Sequence, residues 1–272
     1  MNKQVALVTG ASSGIGKATA LALNSAGYTV YGLARRVNLM DDLALAGVKV
    51  LAMDVTDHAA MVTVVTKVLA DEGRIDVLIN NAGYGSYGAV EDVPIEEARR
   101  QLDVNLFGLA DLTKLVLPTM RAQHTGKIIN LSSMAGRVWT PFGAWYHASK
   151  FALEGFSNAL RLELAPFGIK VVLIEPGAIK TQWGIIAADN FEKASAKGPY
   201  AQAAQQKATN LRSLYQNKAL TAPTVIARII LKAVSAKRPR TRYLIGYGAW
   251  PAVLIQKFLG DRIFDWLIQR IM

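Results

Sequence analysis

Apolar residues along this chain follow two spacings. Short, nearly unbroken apolar runs alternate with longer stretches in which apolar positions return every three to four residues. The runs span 4–9, 29–34, 48–53, 75–79, 127–131, 170–174 and 241–245, and predict strands. The periodic stretches predict helices over 17–26, 57–72, 95–123, 143–167 and 222–235, with Gly27, Gly73, Gly126 and Gly168 at their ends. Strand–helix alternation sustained in this way predicts an α/β fold, a doubly wound parallel sheet of about seven strands with helices on both faces. Residues 1–248 read as one domain. Within it, 182–220 is rich in Ala and Gln, weakly periodic, and predicts a mobile helical cover. Residues 249–272 form a C-terminal amphipathic extension, predicted as two short helices broken at Gly260-Asp261.

Composition narrows the chemistry. There is no cysteine, so disulfides, thiol nucleophiles and Cys-based metal sites are excluded. Three histidines without HExxH spacing predict no metal centre. No apolar run approaches the ~18 residues of a spanning helix, and no signal peptide is evident, so a cytoplasmic protein is expected. The net charge of +11 is uneven: residues 1–180 carry 17 Lys+Arg against 16 Asp+Glu, and residues 181–272 carry 14 against 4. Such an end suits an anionic surface or simply a solvated face; no nucleic-acid motif accompanies it.

Three places carry candidate chemistry. The first strand ends in TGASSGIG, residues 9–16, before a helix. Glycines let a backbone approach a pyrophosphate, and a helix N-terminus offers free N–H groups to it. The second strand ends Ala34-Arg35-Arg36, without the acid that would hold a ribose 2′-hydroxyl. Two guanidinium groups suit a 2′-phosphate, which favours NADP over NAD. Asp54 and Val55 close the third strand, where the acid either meets the adenine or caps the next helix. Asn80-Asn81-Ala82-Gly83 close the fourth, where small residues admit a flat ring. Tyr146 and Lys150 lie one helical turn apart, after Ser133 at the end of the fifth strand. A phenol ionises near pH ~10, and a neighbouring cation favours its phenolate, so the pair suits proton transfer. Asn105 falls inside a long helical pattern, where an amide is unfavourable unless it is used.

Together TGASSGIG, NNAG, Asn105, Ser133, Tyr146-x-x-x-Lys150 and Pro176-Gly177-x-x-x-Thr181 resemble the short-chain dehydrogenase/reductase family over about residues 3–245. The resemblance implies a Rossmann-like fold and carbonyl–alcohol redox chemistry with NADP(H). By it Tyr146 is the general acid/base, Lys150 lowers its pKa and binds the nicotinamide ribose, and Ser133 polarises the substrate oxygen. Asn105 would hold a water in a proton relay. Gly10, Ser12, Ser13, Gly14, Ile15 and Gly16 would cradle the pyrophosphate, with Asn81, Ala82, Gly83, Pro176, Gly177, Ile179 and Thr181 beside the nicotinamide half.

Tyr84, Tyr87, Met134, Trp139, Phe142, Trp145 and Trp183 are candidate pocket residues, and so many apolar side chains suit a bulky lipophilic substrate. The resemblance also lies closest to members acting on steroids, retinoids or similar alcohols and ketones. It implies a homodimer or homotetramer built through the two long helices. A non-catalytic dinucleotide-binding regulator is the alternative reading. For 249–272, packing on its own domain, on a sister subunit, or peripherally on a membrane all stay open.

Overall fold

The computed structural model describes residues 3–216 and 219–271; residues 1–2, 217–218 and 272 of the segments discussed above lie outside it. Seven strands, β1 (Val5–Thr9), β2 (Thr29–Ala34), β3 (Lys49–Ala52), β4 (Val77–Asn80), β5 (Gly126–Leu131), β6 (Ile169–Pro176) and β7 (Arg242–Ile245), form one parallel sheet in the order β3-β2-β1-β4-β5-β6-β7. The helices are α1 (Gly14–Ser25), α2 (Asp41–Leu45), α3 (His58–Glu72), α4 (Ile95–Leu102), α5 (Gly108–Ala122), α6 (Ala144–Leu164), α7 (Trp183–Ala194), α8 (Ala201–Gln216), α9 (Pro223–Ser235) and α10 (Ala249–Ile271).

The apolar runs are unbroken because both faces of the sheet are covered. In β1, Ala6 and Val8 meet Leu23 of α1 and Ile226 and Ile230 of α9, while Val5 and Leu7 meet Val64 and Val68 of α3 and Leu112 and Val116 of α5. Alternate residues of one strand thus serve two cores. Truncation of Leu7, which is wholly buried, would cost about 2–5 kcal/mol. Strand order reverses between β1 and β4, and the carboxyl ends of the strands part there into a crevice.

Several predicted boundaries move. The helix expected over 95–123 is interrupted by a π-helical segment, Asp103–Phe107, between α4 and α5. Gly126 does not end it but opens β5; the chain turns at His124, a non-glycine with φ 50°. Asp57, not Asp54, caps α3, its carboxylate accepting from the Ala60 N–H at 3.0 Å. The predicted stops at Gly27, Gly73 and Gly168 all have positive φ. The described residues of the predicted cover include α7 and α8, which close a small core of their own around Ala188, Phe191, Ala204 and Ala208. The break in α10 falls at Gly260, with φ 74° and ψ 177°.

Candidate active site

At the carboxyl edge of the sheet lies a cleft of about 2470 Å3. One half is backbone and small residues. Gly10 and Gly14 take left-handed φ values of 65° and 55°, which turn the chain from β1 into α1. A Cβ on Gly16 would stand 2.3 Å from the Gly10 carbonyl oxygen, so only glycine lets helix and turn close together. Asn81 rivets the turn: its Nδ2 donates to the Thr9 carbonyl at 2.9 Å, and its own N–H donates to Thr9 Oγ1 at 2.9 Å. Ser12, Ser13, Gly14 and Ile15 face the cleft, and the first-turn N–H groups of α1 open toward it. Gly16 is packed behind the turn. Ala82, Gly83, Pro176, Gly177, Ile179 and Thr181 continue the wall.

Arg35 and Arg36 border the same cleft, exposed at the end of β2. The carboxylate of Asp54 accepts from the Thr56 N–H at 3.0 Å and faces Arg35 at 3.8 Å, and Val55 is buried beside it. A cradle that a Cβ would fill and a helix N-terminus fit a pyrophosphate, and two exposed guanidinium groups fit a phosphorylated ribose.

Ser133, Tyr146 and Lys150 converge in the middle of the cleft. Ser133 ends the loop after β5; its hydroxyl accepts from the Ala135 N–H at 3.1 Å and lies 3.3 Å from the Pro176 carbonyl. Tyr146 and Lys150 project from one face of α6 and are both buried. Burial pushes the Tyr146 phenol up to about 12, while contact with Ser133 draws it back. Burial lowers the Lys150 ammonium to about 8, opposed by the charge of Glu154 one turn on. Lys150 Nζ lies 5.9 Å from the centre of the Tyr146 ring and donates to the Leu131 carbonyl at 2.8 Å. The pair therefore stands with a protonated phenol beside an ammonium that can release its proton in the mildly alkaline range.

Asn105 is wholly buried in the π-helical segment and is not on the cleft wall. Its amide grips both sides of the Tyr84 peptide, accepting from the N–H at 3.1 Å and donating to the carbonyl at 2.9 Å, and also donates to Ser149 Oγ at 3.1 Å. The side chain thus ties the loop after β4 to the helix that carries Tyr146 and Lys150.

The other half of the cleft is made of rings. Trp183 lies 5.2 Å from Tyr146 and 6.0 Å from Tyr87, and Tyr215 stands 6.2 Å from Trp183. Met134 and Tyr84 complete the wall among the residues expected there, the Tyr84 hydroxyl donating to Glu97 at 3.0 Å. Three expected lining residues are elsewhere. Trp139 packs on Phe264 of α10 and donates its Nε1 to Asp265 at 2.7 Å. Phe142, with φ 65°, turns into the small core under α7 and α8, 5.1 Å from Phe191. Trp145 has its Nε1 buried within the protein rather than on the cleft. The positive φ at Phe142 redirects the chain just before α6 begins, while α10 holds Trp139 away from the cleft.

Charges on the helices hold more of the site than their spacing suggested. His147 accepts from the Thr140 N–H at 3.0 Å through Nε2, while Nδ1–H donates to the Ala135 carbonyl at 3.1 Å; burial lowers its pKa and keeps it neutral. It locks the loop after Ser133 onto α6. Lys207 reaches from α8 into the cleft, donates to the Pro141 carbonyl at 2.9 Å and is lowered by burial to about 8. Behind Lys150, Arg242 bridges Glu175 at 2.9 Å and Glu154 at 3.0 Å. Buried carboxylates need such partners, and losing one partner of such a pair costs about 3–5 kcal/mol. Among the described residues no group of three or more His, Cys, Asp or Glu is arranged to hold a metal.

A family model described as short chain dehydrogenase matches residues 4–192. The chain is 41% identical over 268 residues to a probable short-chain type dehydrogenase/reductase, VdlC, of Helicobacter pylori, covering 98% of this chain and 97% of that one. It is 38% identical over 247 residues to a 3-ketodihydrosphingosine reductase of Bacteroides thetaiotaomicron, covering 90% and 89%. A solved short-chain dehydrogenase from Streptomyces avermitilis superposes with a TM-score of 0.83 at 36% identity, over 99% of this chain and 96% of that one. Solved proteins of similar fold include complexes with NADP(H) and with NAD.

Proposed function

The chain belongs to the short-chain dehydrogenase/reductase family, and from that premise we propose that it interconverts a carbonyl and a primary or secondary alcohol on a bulky lipophilic substrate with NADP(H). The observation that carries this reading is the placement of Ser133, Tyr146 and Lys150 between a glycine cradle and a wall of rings. A bound dinucleotide supplies the hydride. The glycine turn and the α1 N-terminus would hold its pyrophosphate, Arg35 and Arg36 its 2′-phosphate, and Lys150 its nicotinamide ribose.

The protein's own work is to orient and to move a proton. Ser133 holds the substrate oxygen by a hydrogen bond. Tyr146, kept protonated by burial, gives its O–H proton to that oxygen during reduction. The Lys150 ammonium stabilises the phenolate left behind, and Asn105 keeps the two walls in register. Rings from Tyr87, Trp183 and Tyr215 exclude water and set the charge-free character of the substrate. A 38% identical relative named for a lipid ketone supports this substrate class. Phe107, Phe151 and Leu162 are exposed on the π-helical segment and α6, which suits pairing of two copies through these helices.

Oxidation of NADPH with a panel of ketones tests the assignment. Tyr146→Phe should lower turnover by about 10²–10⁴-fold, and bulky apolar ketones should be preferred to short polar ones. Equal NADPH consumption by both proteins would remove Tyr146 from the reaction.

A further inference from the structure

The outward side of α10 is an apolar surface with cations at its borders. Its inner side is docked: Val253 and Phe264 are buried, the latter against Val138 and Trp139, and Asp265 holds the Trp139 indole. Its outer side is not. Phe258 is 71% exposed, Trp250 56%, Trp266 51% and Leu259 50%, and Leu254 and Ile263 stand out beside them. Trp250, Leu254 and Phe258 are four residues apart and make one stripe of the first half. After the break at Gly260, Ile263, Trp266 and Arg270 make another.

Cations border the rings of this side. Arg270 stacks on the Trp266 ring at 4.0 Å, Lys257 lies 5.4 Å from the Phe258 ring, and Arg262 follows the break. None of the three forms an ion pair among the described residues. The carboxylates of the segment are otherwise engaged, Asp261 with Gln256 and Asp265 with Trp139. A twofold contact between copies through this side would bring two cation-bordered surfaces together. No described helix is long and apolar enough to cross a membrane. Exposed aromatic rings with cations beside them are suited to lie in the interface of an anionic bilayer, with the rings at headgroup depth and the ammonium and guanidinium groups on phosphate.

We propose that α10 docks the protein onto anionic lipid surfaces. Ile268 and Tyr247 belong to the cleft wall, so the docked surface adjoins the substrate cleft. Lipid docking itself needs no turnover; only delivery of substrate from the bilayer rests on the lipophilic reading above.

The test uses the full chain, without cofactor, and vesicles of phosphatidylcholine with or without phosphatidylglycerol. Sedimentation should carry the protein down with the anionic vesicles at least about tenfold more strongly than with the neutral ones. Brominated acyl chains should quench part of its tryptophan emission, and should not do so in a Trp250→Phe/Trp266→Phe variant. Phe258→Glu with Ile263→Glu, both exposed and outside the cleft, should weaken vesicle binding about tenfold or more while leaving NADPH oxidation with a water-soluble ketone unchanged. Failure of the parent chain to sediment with anionic vesicles would overturn the proposal. So would a double variant that still binds vesicles but no longer self-associates by light scattering, which would make the surface a contact between copies. Loss of redox activity in the parent chain with vesicle binding intact would count against the enzymatic reading alone.

Discussion

The two halves of the cleft are built from opposite materials. The half under the glycine turn is backbone, small side chains and buried hydrogen bonds: Gly10, Gly14, Gly16, Thr9 and Asn81 within one local network. The half under α7 and α8 is rings delivered by separate segments, Tyr87 after β4, Trp183 at the start of α7 and Tyr215 near the end of α8. The first accepts almost no change of shape. The second meets its ligand through dispersion and burial, which many shapes can satisfy. On the proposed function, recognition of the cofactor and recognition of the substrate would thereby be separated in one cavity.

Substitutions should respect that division. The largest effect is expected from Gly16→Val, which would drive a side chain into the Gly10 carbonyl. NADPH binding measured by fluorescence titration should weaken about a hundredfold or more, with a fall in melting temperature from overpacking of about 1–3 kcal/mol. Retained affinity would mean that the turn is softer than its contacts imply.

Trp183→Ala should do the reverse. The KM for a bulky ketone should rise about tenfold, as expected for loss of a ring contact and its apolar area, while NADPH affinity stays unchanged. If both constants moved together, the two halves would not be separable.

Arg35→Ala with Arg36→Ala belongs to the cofactor half but to its exposed rim. Binding of NADPH should weaken about tenfold relative to NADH, since charge-assisted bonds at a solvated site contribute about 1.5–3 kcal/mol together. An unchanged ratio would place recognition of the 2′-phosphate elsewhere.

The smallest effect concerns the residue between the halves. Lys150, lowered by burial to about 8, is an ammonium below that pH and neutral above it. The cation is what favours the Tyr146 phenolate, so the rate of carbonyl reduction should be level below pH about 8 and fall above it. Glu154 opposes the lowering, so Glu154→Gln should move the descending limb to lower pH by a fraction of a unit. A limb that stays in place in the variant would show that Glu154 acts only as a partner of Arg242.

The same division governs what could be read before the structure was known. The sheet, its order of elements and the glycine turn were legible because each depends on a residue type at a fixed spacing. A glycine must turn, an unbroken apolar strand must be covered on both faces, and Tyr and Lys one turn apart must share a helix face. The ring half was only partly legible. Met134, Trp139, Phe142 and Trp145 are close in sequence, and composition cannot tell which one faces a ligand. The left-handed backbone at Phe142 and the docking of α10 on Trp139 decide it, and neither is local. His147, Lys207 and Glu154 were missed for a related reason. Charged or polar residues on amphipathic helices usually face solvent, and here the helices pack over them.

The π-helical turn at Asp103–Phe107 has a consequence for counting residues. A π turn holds one residue more than the α-helical path would need, so the two helices it joins are out of phase. Removing a single residue there would let one continuous α-helix form between the same flanks, and the side chains of the turn would be re-aimed. Asn105 could then no longer bracket the Tyr84 peptide while Gly108 kept its place against Val55, whose carbonyl oxygen lies 2.1 Å from where a Cβ would stand. The number of residues between Pro94 and β5 is therefore as much a part of the active site as their identities. Grafts or chimaeras that cross this segment should preserve its length first and its sequence second.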